Sequence, residues 1–219
     1  MNFQIFKSFN MPSAIIFGVT GLTGKTLLKN LVNDKRYGKI YIVTRRPCGF
    51  IHPNVEEILF NYKDFSELPS VKADHVFSCL GTTLKAAGSK EAQQVIDRDY
   101  PIAISKYSKS IGAERMVCVS SVGTDIKSGN FYLRTKGEME EGVKANFPST
   151  IFVRPSFIFG DREERRIGEK IGIGLFKIIN PLLIGNLNKY KGVNVEKLAK
   201  AMTEACFKET KQVLHYSDF

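Results

Sequence analysis

Hydrophobic and polar positions along this 219-residue chain fall into short apolar runs separated by stretches of helical spacing. Ala14–Phe17, Ile40–Val43, Val55–Phe60, Asp74–Leu80, Met116–Ser120 and Thr150–Val153 each span four to seven residues. Ala14–Phe17 is apolar throughout rather than alternating, the pattern of a strand buried on both faces of a parallel sheet. Between them, Lys25–Val32, Ser89–Ile111 (broken or entered afresh at Pro101) and the stretch around Tyr132 carry apolar residues at helical intervals. Strand and helix in alternation predict an α/β fold with a doubly wound parallel sheet. Val195–Phe207 predicts an amphipathic helix and Gln212–Tyr216 a last strand. The expected organisation is one domain over 1–219, with 163–219 forming a small C-terminal lobe on the substrate side.

The turn after the first strand sharpens this. Gly18, Gly21 and Gly24 recur every third residue between Phe17 and the first helix. In a βαβ unit that spacing allows a tight turn at Gly18, approach of a pyrophosphate at Gly21 and close helix packing at Gly24. Gly18, Thr20, Gly21, Leu22, Thr23 and Gly24 are therefore the expected dinucleotide cradle of a Rossmann fold. Lys25-Thr26 hint at the phosphate loop of nucleotide hydrolases, G-x-x-x-x-G-K-[ST]. That motif needs a glycine at position 19, where Val19 stands.

Other candidates sit where strands end. Arg45-Arg46 follow the second strand, roughly 20 residues past the glycines, where the fold meets the adenosine ribose. Guanidinium there suits the 2′-phosphate of NADP(H), the bland alternative being a pair of solvated loop arginines. Asp64 is a candidate for the adenine amino group, and an acid opening a turn is as often a helix cap. Leu80, Gly81 and Thr82 end the fourth strand and offer backbone to the dinucleotide. Tyr132 and Lys136 stand four apart on one helix face, with Ser121 eleven residues upstream. A lysine one turn from a tyrosine stabilises its phenolate, and a serine can hold a carbonyl oxygen beside it. Pro155 and Phe157, in the loop after the sixth strand, are expected beside the nicotinamide.

Composition narrows the classes. Net charge is +10 with a sequence pI near 9.4, yet no basic run is long and no nucleic-acid motif is present, so no nucleic-acid partner is expected. Cys48, Cys79, Cys118 and Cys206 lack metal-ligand spacing and read as buried thiols of a reducing compartment, and no metal is expected. His52, His75 and His215 are isolated and receive no role. Met1–Asn10 has no apolar core of a secretory signal, and Ile171–Gly185, interrupted by Lys177, Asn180 and Pro181, is too short to span a bilayer. A cytoplasmic protein is expected. Peripheral contact with an anionic membrane through Arg162–Phe176 is a weaker alternative. A homodimer is left open.

Several motifs together carry a resemblance. G-V-T-G-L-T-G, C-L-G-T-T, Ile96-Asp97-Arg98-Asp99-Tyr100, S-S-V-G-T-D, Y-L-R-T-K-G-E and R-P-S-F-I-F-G-D-R-E-E resemble the atypical short-chain dehydrogenase/reductases, in the branch of Tat-interacting oxidoreductase-like proteins. The likeness runs from about Ser13 to the C-terminus. It implies NADP(H) binding, with Ser121, Tyr132 and Lys136 matching the family's catalytic serine, tyrosine and lysine, the last two also touching the cofactor. The Ser-to-Tyr interval is slightly shorter than in classical members, and Asp97 stands at the position of the asparagine that completes their proton relay. The expected function is NADPH-dependent reduction of a small carbonyl substrate by hydride transfer. The alternative is a non-catalytic NADPH-sensing module that binds a regulatory protein partner.

Overall fold

Along the first strand, β1 (Ala14–Phe17), neighbouring side chains enter two different cores. Ala14 and Ile16 join Leu27, Leu28, Leu31, Leu198 and Met202 on one face. Ile15 and Phe17 join Val76, Ile104, Tyr107, Met139 and Val143 on the other. A strand with no polar face needs helices on both sides, and each fully buried Leu, Ile or Phe contributes about 1.5–3 kcal/mol. The structure, a computed structural model, describes residues 11–160 and 185–219.

Seven strands lie in the order β3-β2-β1-β4-β5-β6-β9, every neighbouring pair parallel. They are β1, β2 (Ile40–Thr44), β3 (Val55–Leu59), β4 (His75–Ser78), β5 (Arg115–Val119), β6 (Ile151–Val153) and β9 (Val213–Leu214). A short parallel pair, β7 (Ile158–Phe159) with β8 (Val193–Asn194), stands apart. The order reverses between β1 and β4, and α/β sheets of this kind bind ligands at such a switch point, outside the carboxyl ends of the strands. Helices α1 (Leu22–Asn33) and α6 (Val195–Glu204) pack together on one face. Helices α4 (Tyr100–Ser110) and α5 (Phe131–Asn146) cover the other. The doubly wound parallel sheet is as the sequence predicts.

Boundaries move for local reasons. Asp74 lies before β4 because its carboxylate accepts from both the N–H and the hydroxyl of Ser13, each at 2.7 Å, latching the start of β1 to β4. The segment 89–111 is helical in three pieces, and the last of them is entered at Tyr100 with Pro101 in its first turn, where the sequence predicts a break or a fresh start. Two short helices, α2 (Leu84–Ala87) and α3 (Lys90–Gln94), precede a π turn at Val95–Asp99 that runs straight into α4. Proline has no N–H to return to the carbonyl four residues back, and the wider turn, in which Tyr100 N–H reaches Val95 O, absorbs the gap. Val195–Phe207 and Gln212–Tyr216, from the stretch expected to form the C-terminal lobe, supply α6 and β9 to the sheet and its helical cover. Residues 1–10 and 161–184 lie outside the described residues, and with them the segment proposed for membrane contact. No helix among the described residues is long and apolar enough to cross a membrane.

Cys118 and Cys206 are buried and Cys48 and Cys79 partly so, all unbridged. Burial pushes the thiols of Cys118 and Cys206 up to about 12. His75, given no role from sequence, is a core residue. Its Nδ1 meets the Tyr37 hydroxyl at 2.8 Å, and its ring stands edge-on to Tyr37 and Phe207. Burial pushes its pKa from 6.5 down to about 4. The unfolded chain therefore binds the proton first, and stability present above pH 6.5 drains away as pH falls toward 4. Thermal or urea unfolding should show a loss of about 1 kcal/mol between pH 6.5 and 5 that is missing in His75→Asn. Equal pH slopes in the two proteins would exclude His75 as its source.

Candidate functional site

The glycine turn has the geometry the fingerprint requires. Gly18 adopts φ +85°, and a Cβ there would stand 2.9 Å from Cys79 C and O at the end of β4. A Cβ on Gly24 would overlap the Gly18 carbonyl, so the helix crosses the turn at a separation only glycine permits. Gly21 differs. Its φ −80° and ψ 166° suit any residue, and a Cβ would meet only Gly18 O, at 3.4 Å. What glycine preserves there is open space in front of the turn. Gly21 is the N-cap of α1, and among the described residues no side chain caps it, Thr20 and Thr23 included. The helix thus presents uncapped N–H groups at its positive end, as an anion site needs. These residues fit a dinucleotide pyrophosphate.

Arg45 and Arg46 are exposed at the carboxyl end of β2, and neither joins an ion pair among the described residues. Sequence reasoning overlooked their support. Glu57 on β3 accepts from the Thr44 hydroxyl at 2.6 Å and from Cys48 N–H at 2.9 Å, clamping the turn that carries both arginines. Burial opposes its charge, but these two bonds hold its carboxyl below the usual range. Asp64 lies on the turn after β3 and caps a short 3₁₀ turn, accepting from Ser66 N–H at 2.9 Å, which is the second of the two roles expected of it. Beside it, Tyr62 takes φ +62° within a cluster with Phe60, Phe65 and Tyr100. A buried aromatic in left-handed backbone is costly, and the three neighbouring rings hold it there.

The third group lies where β4, β5 and α5 converge. Lys136, 2% exposed, puts Nζ 2.8 Å from Asp97 Oδ1, and Asp97 is 1% exposed. Asp97 belongs to the π turn, and its Oδ2 accepts from Thr82 N–H at 3.2 Å. Burial works against the Lys136 charge, but the Asp97 carboxylate and the Tyr132 phenol beside it hold the ammonium above the ordinary lysine value. Tyr132 is half-buried in the first turn of α5, and its hydroxyl makes no hydrogen bond among the described residues. Ser121 is buried just past β5, its hydroxyl donating weakly to Val122 O at 3.3 Å. Asp125 N–H donates to Leu133 O, and a Cβ on Gly137 would lie 2.7 Å from Asp125 C, so the loop after Ser121 folds tightly onto α5. The position of Asp97 was legible from sequence, but its pairing with Lys136 was not. The one local signal is Pro101 four residues on, whose missing N–H is compatible with the π turn that carries Asp97.

Pro155 and Phe157 close the opposite side. Pro155 is buried, and its carbonyl accepts Val122 N–H at 3.0 Å, while Phe157 O accepts Val193 N–H at 2.8 Å. A Cβ on Gly160 would lie 3.8 Å from Leu22 Cδ1, so this loop backs onto the first residue of α1. At the base of the loop, Arg154 forms a two-pronged ion pair with Glu140 of α5. The carboxyl edge thus brings together Gly18, Thr20, Gly21, Leu22, Thr23 and Gly24 with Leu80, Gly81, Thr82, Ser121, Tyr132, Lys136, Pro155 and Phe157. Arg45 and Arg46 flank it.

No protein-family model matches the chain. Among curated proteins, it is 36% identical over 208 residues to Protein FMP52, mitochondrial, of Candida glabrata, covering 91% of this chain and 87% of that one. It is 34% identical over 170 residues to Protein HTATIP2 of Rattus norvegicus, covering 75% and 69%. Among solved structures, it resembles the Bordetella bronchiseptica enzyme WbmH in complex with NAD+, with a TM-score of 0.69 at 15% identity over 94% of this chain and 75% of that one. A UDP-galactose 4-epimerase gives 0.67 at 17% identity, over 92% and 75%. At such identities the structural likeness shows the fold alone. The expectation of a cytoplasmic protein is overturned by the relatives, since FMP52 of Candida glabrata, of Emericella nidulans and of Eremothecium gossypii is named mitochondrial. Unbridged thiols, on which that expectation rested, are equally compatible with the mitochondrial interior. On the strength of these relatives, the chain belongs to the FMP52 and HTATIP2 family of atypical short-chain dehydrogenase/reductases.

Proposed function

We propose that the chain is an NADPH-dependent reductase of a small carbonyl compound. The observation that carries this reading is the buried Lys136 ammonium one helical turn from the Tyr132 phenol, which makes no hydrogen bond among the described residues, at the carboxyl edge the glycine turn opens onto. When bound, a reduced nicotinamide dinucleotide supplies the hydride. Tyr132 gives the proton to the carbonyl oxygen, and the Lys136 cation stabilises the phenolate that remains. Ser121 orients the carbonyl, its weak bond to Val122 O being easily exchanged for a substrate oxygen. Arg45 and Arg46, on the turn clamped by Glu57, favour NADPH through its 2′-phosphate. The names of the FMP52 relatives support a mitochondrial setting.

Cofactor choice is read by fluorescence titration. NADPH should bind at least tenfold more tightly than NADH, about 1.4 kcal/mol, and Arg45→Ala/Arg46→Ala should remove most of that difference. Equal affinities in the unmodified protein would sink the assignment. Turnover is followed by NADPH absorbance across a panel of small aldehydes, ketones and quinones. Tyr132→Phe keeps the ring and should leave NADPH affinity nearly unchanged while lowering turnover by roughly 10² or more. A wild-type protein that holds NADPH but turns over none of the panel, and binds a protein partner according to cofactor occupancy, would establish the sensing module instead.

A further inference from the structure

Asp97 serves two partners with its two oxygens. Oδ1 faces the Lys136 ammonium at 2.8 Å, and Oδ2 accepts the Thr82 N–H at 3.2 Å. Gly81 lies alongside the carboxylate, where a Cβ would stand in contact with Oδ1 at 3.4 Å, and Gln93 Nε2 donates to Thr82 O at 3.3 Å, fixing the same backbone from the other side. We propose that Asp97 is a positioning residue: it holds Lys136 as a cation and ties that charge to the backbone of Gly81–Thr82, so that one carboxylate couples dinucleotide binding to the acid–base side of the site. This rests on the reading that the dinucleotide crosses Gly81–Thr82 and meets Lys136.

The physical case is one of burial. A lone ammonium as enclosed as Lys136 would shed its proton, because removal from water penalises the charged form. The groups facing it are Asp97 from the π turn, Tyr132 from its own helix and Cys118 from β5. Cys118 stays protonated at neutral pH because burial raises its thiol to about 12. Glu140, one turn further along α5, is engaged by Arg154. Asp97 is left as the compensating charge. A neutral amide at this position could still accept from Thr82 but could not balance the lysine.

The consequence is a pH signature that a packing role would not give. NADPH affinity is measured by fluorescence titration from pH 6 to 9 for the wild type, Asp97→Asn and the double variant Asp97→Asn/Lys136→Met. Wild type and Asp97→Asn should agree within about threefold at pH 6. By pH 9, Asp97→Asn should lose at least fivefold relative to the wild type, because Lys136 is then neutral. The double variant binds more weakly but should follow the wild-type pH dependence. A loss in Asp97→Asn that is uniform across pH, or no loss, overturns the proposal while leaving the dinucleotide reading intact. Failure of the wild type to bind NADPH overturns both. Thermal melts of the same proteins and of Lys136→Met guard against misfolding. Each single variant leaves one unbalanced buried group, so both should melt below the double variant. If the two losses simply add, the coupling does not exist.

Discussion

Everything at the carboxyl edge depends on how closely α1 crosses β1 and β4. With Gly18 in left-handed backbone against Cys79, and Gly24 against the Gly18 carbonyl, the first turn of the helix reaches a position that any side chain at either residue would deny it. Leu27, Leu28 and Leu31 then reach the sheet, and α6 packs behind them. The same approach leaves the N-terminal end of α1 facing the gap at the β1/β4 switch point. Fold and ligand site are thus two results of one close contact.

The other face carries the opposite constraint. There α4 and α5 cover an apolar core that also holds a complete charge pair, Lys136 with Asp97. Breaking a buried pair by removing one member costs about 3–5 kcal/mol, a large share of the roughly 5–15 kcal/mol that stabilises a domain. Well-packed apolar residues of similar volume would serve stability as well or better. The pair therefore reads as a functional arrangement rather than a device for stability. The π turn that aims Asp97 inward belongs with it, since such turns recur at functional sites.

Much of this was legible in the chain because the signals are local. Continuous apolar runs announced a sheet buried on both faces, and three glycines at intervals of three announced the turn. Tyr132 and Lys136 declared themselves by helical spacing. Less legible was whatever depends on contacts distant in sequence. Glu57 reads as an ordinary surface acid until β2 and β3 pair and bring it under Thr44 and Cys48. His75 seemed isolated because Tyr37 and Phe207 reach it across the fold. The fresh helix start at Pro101 was legible in the proline itself, but the π turn leading into it, with Asp97 turned inward, was not. Compartment was misread for a different reason: buried thiols report a reducing environment without naming it.

The central claim, that the turn at Gly18, Gly21 and Gly24 receives the dinucleotide, is tested most directly by Gly21→Val. The backbone at Gly21 accepts a β-branched residue without strain, and the added methyls project into the open space before the turn. Fluorescence titration with NADPH, paired with a thermal melt, should show saturable binding in the wild type and none in the variant, with melting temperatures within a few degrees of each other. A variant that folds and binds NADPH with wild-type affinity would contradict the account.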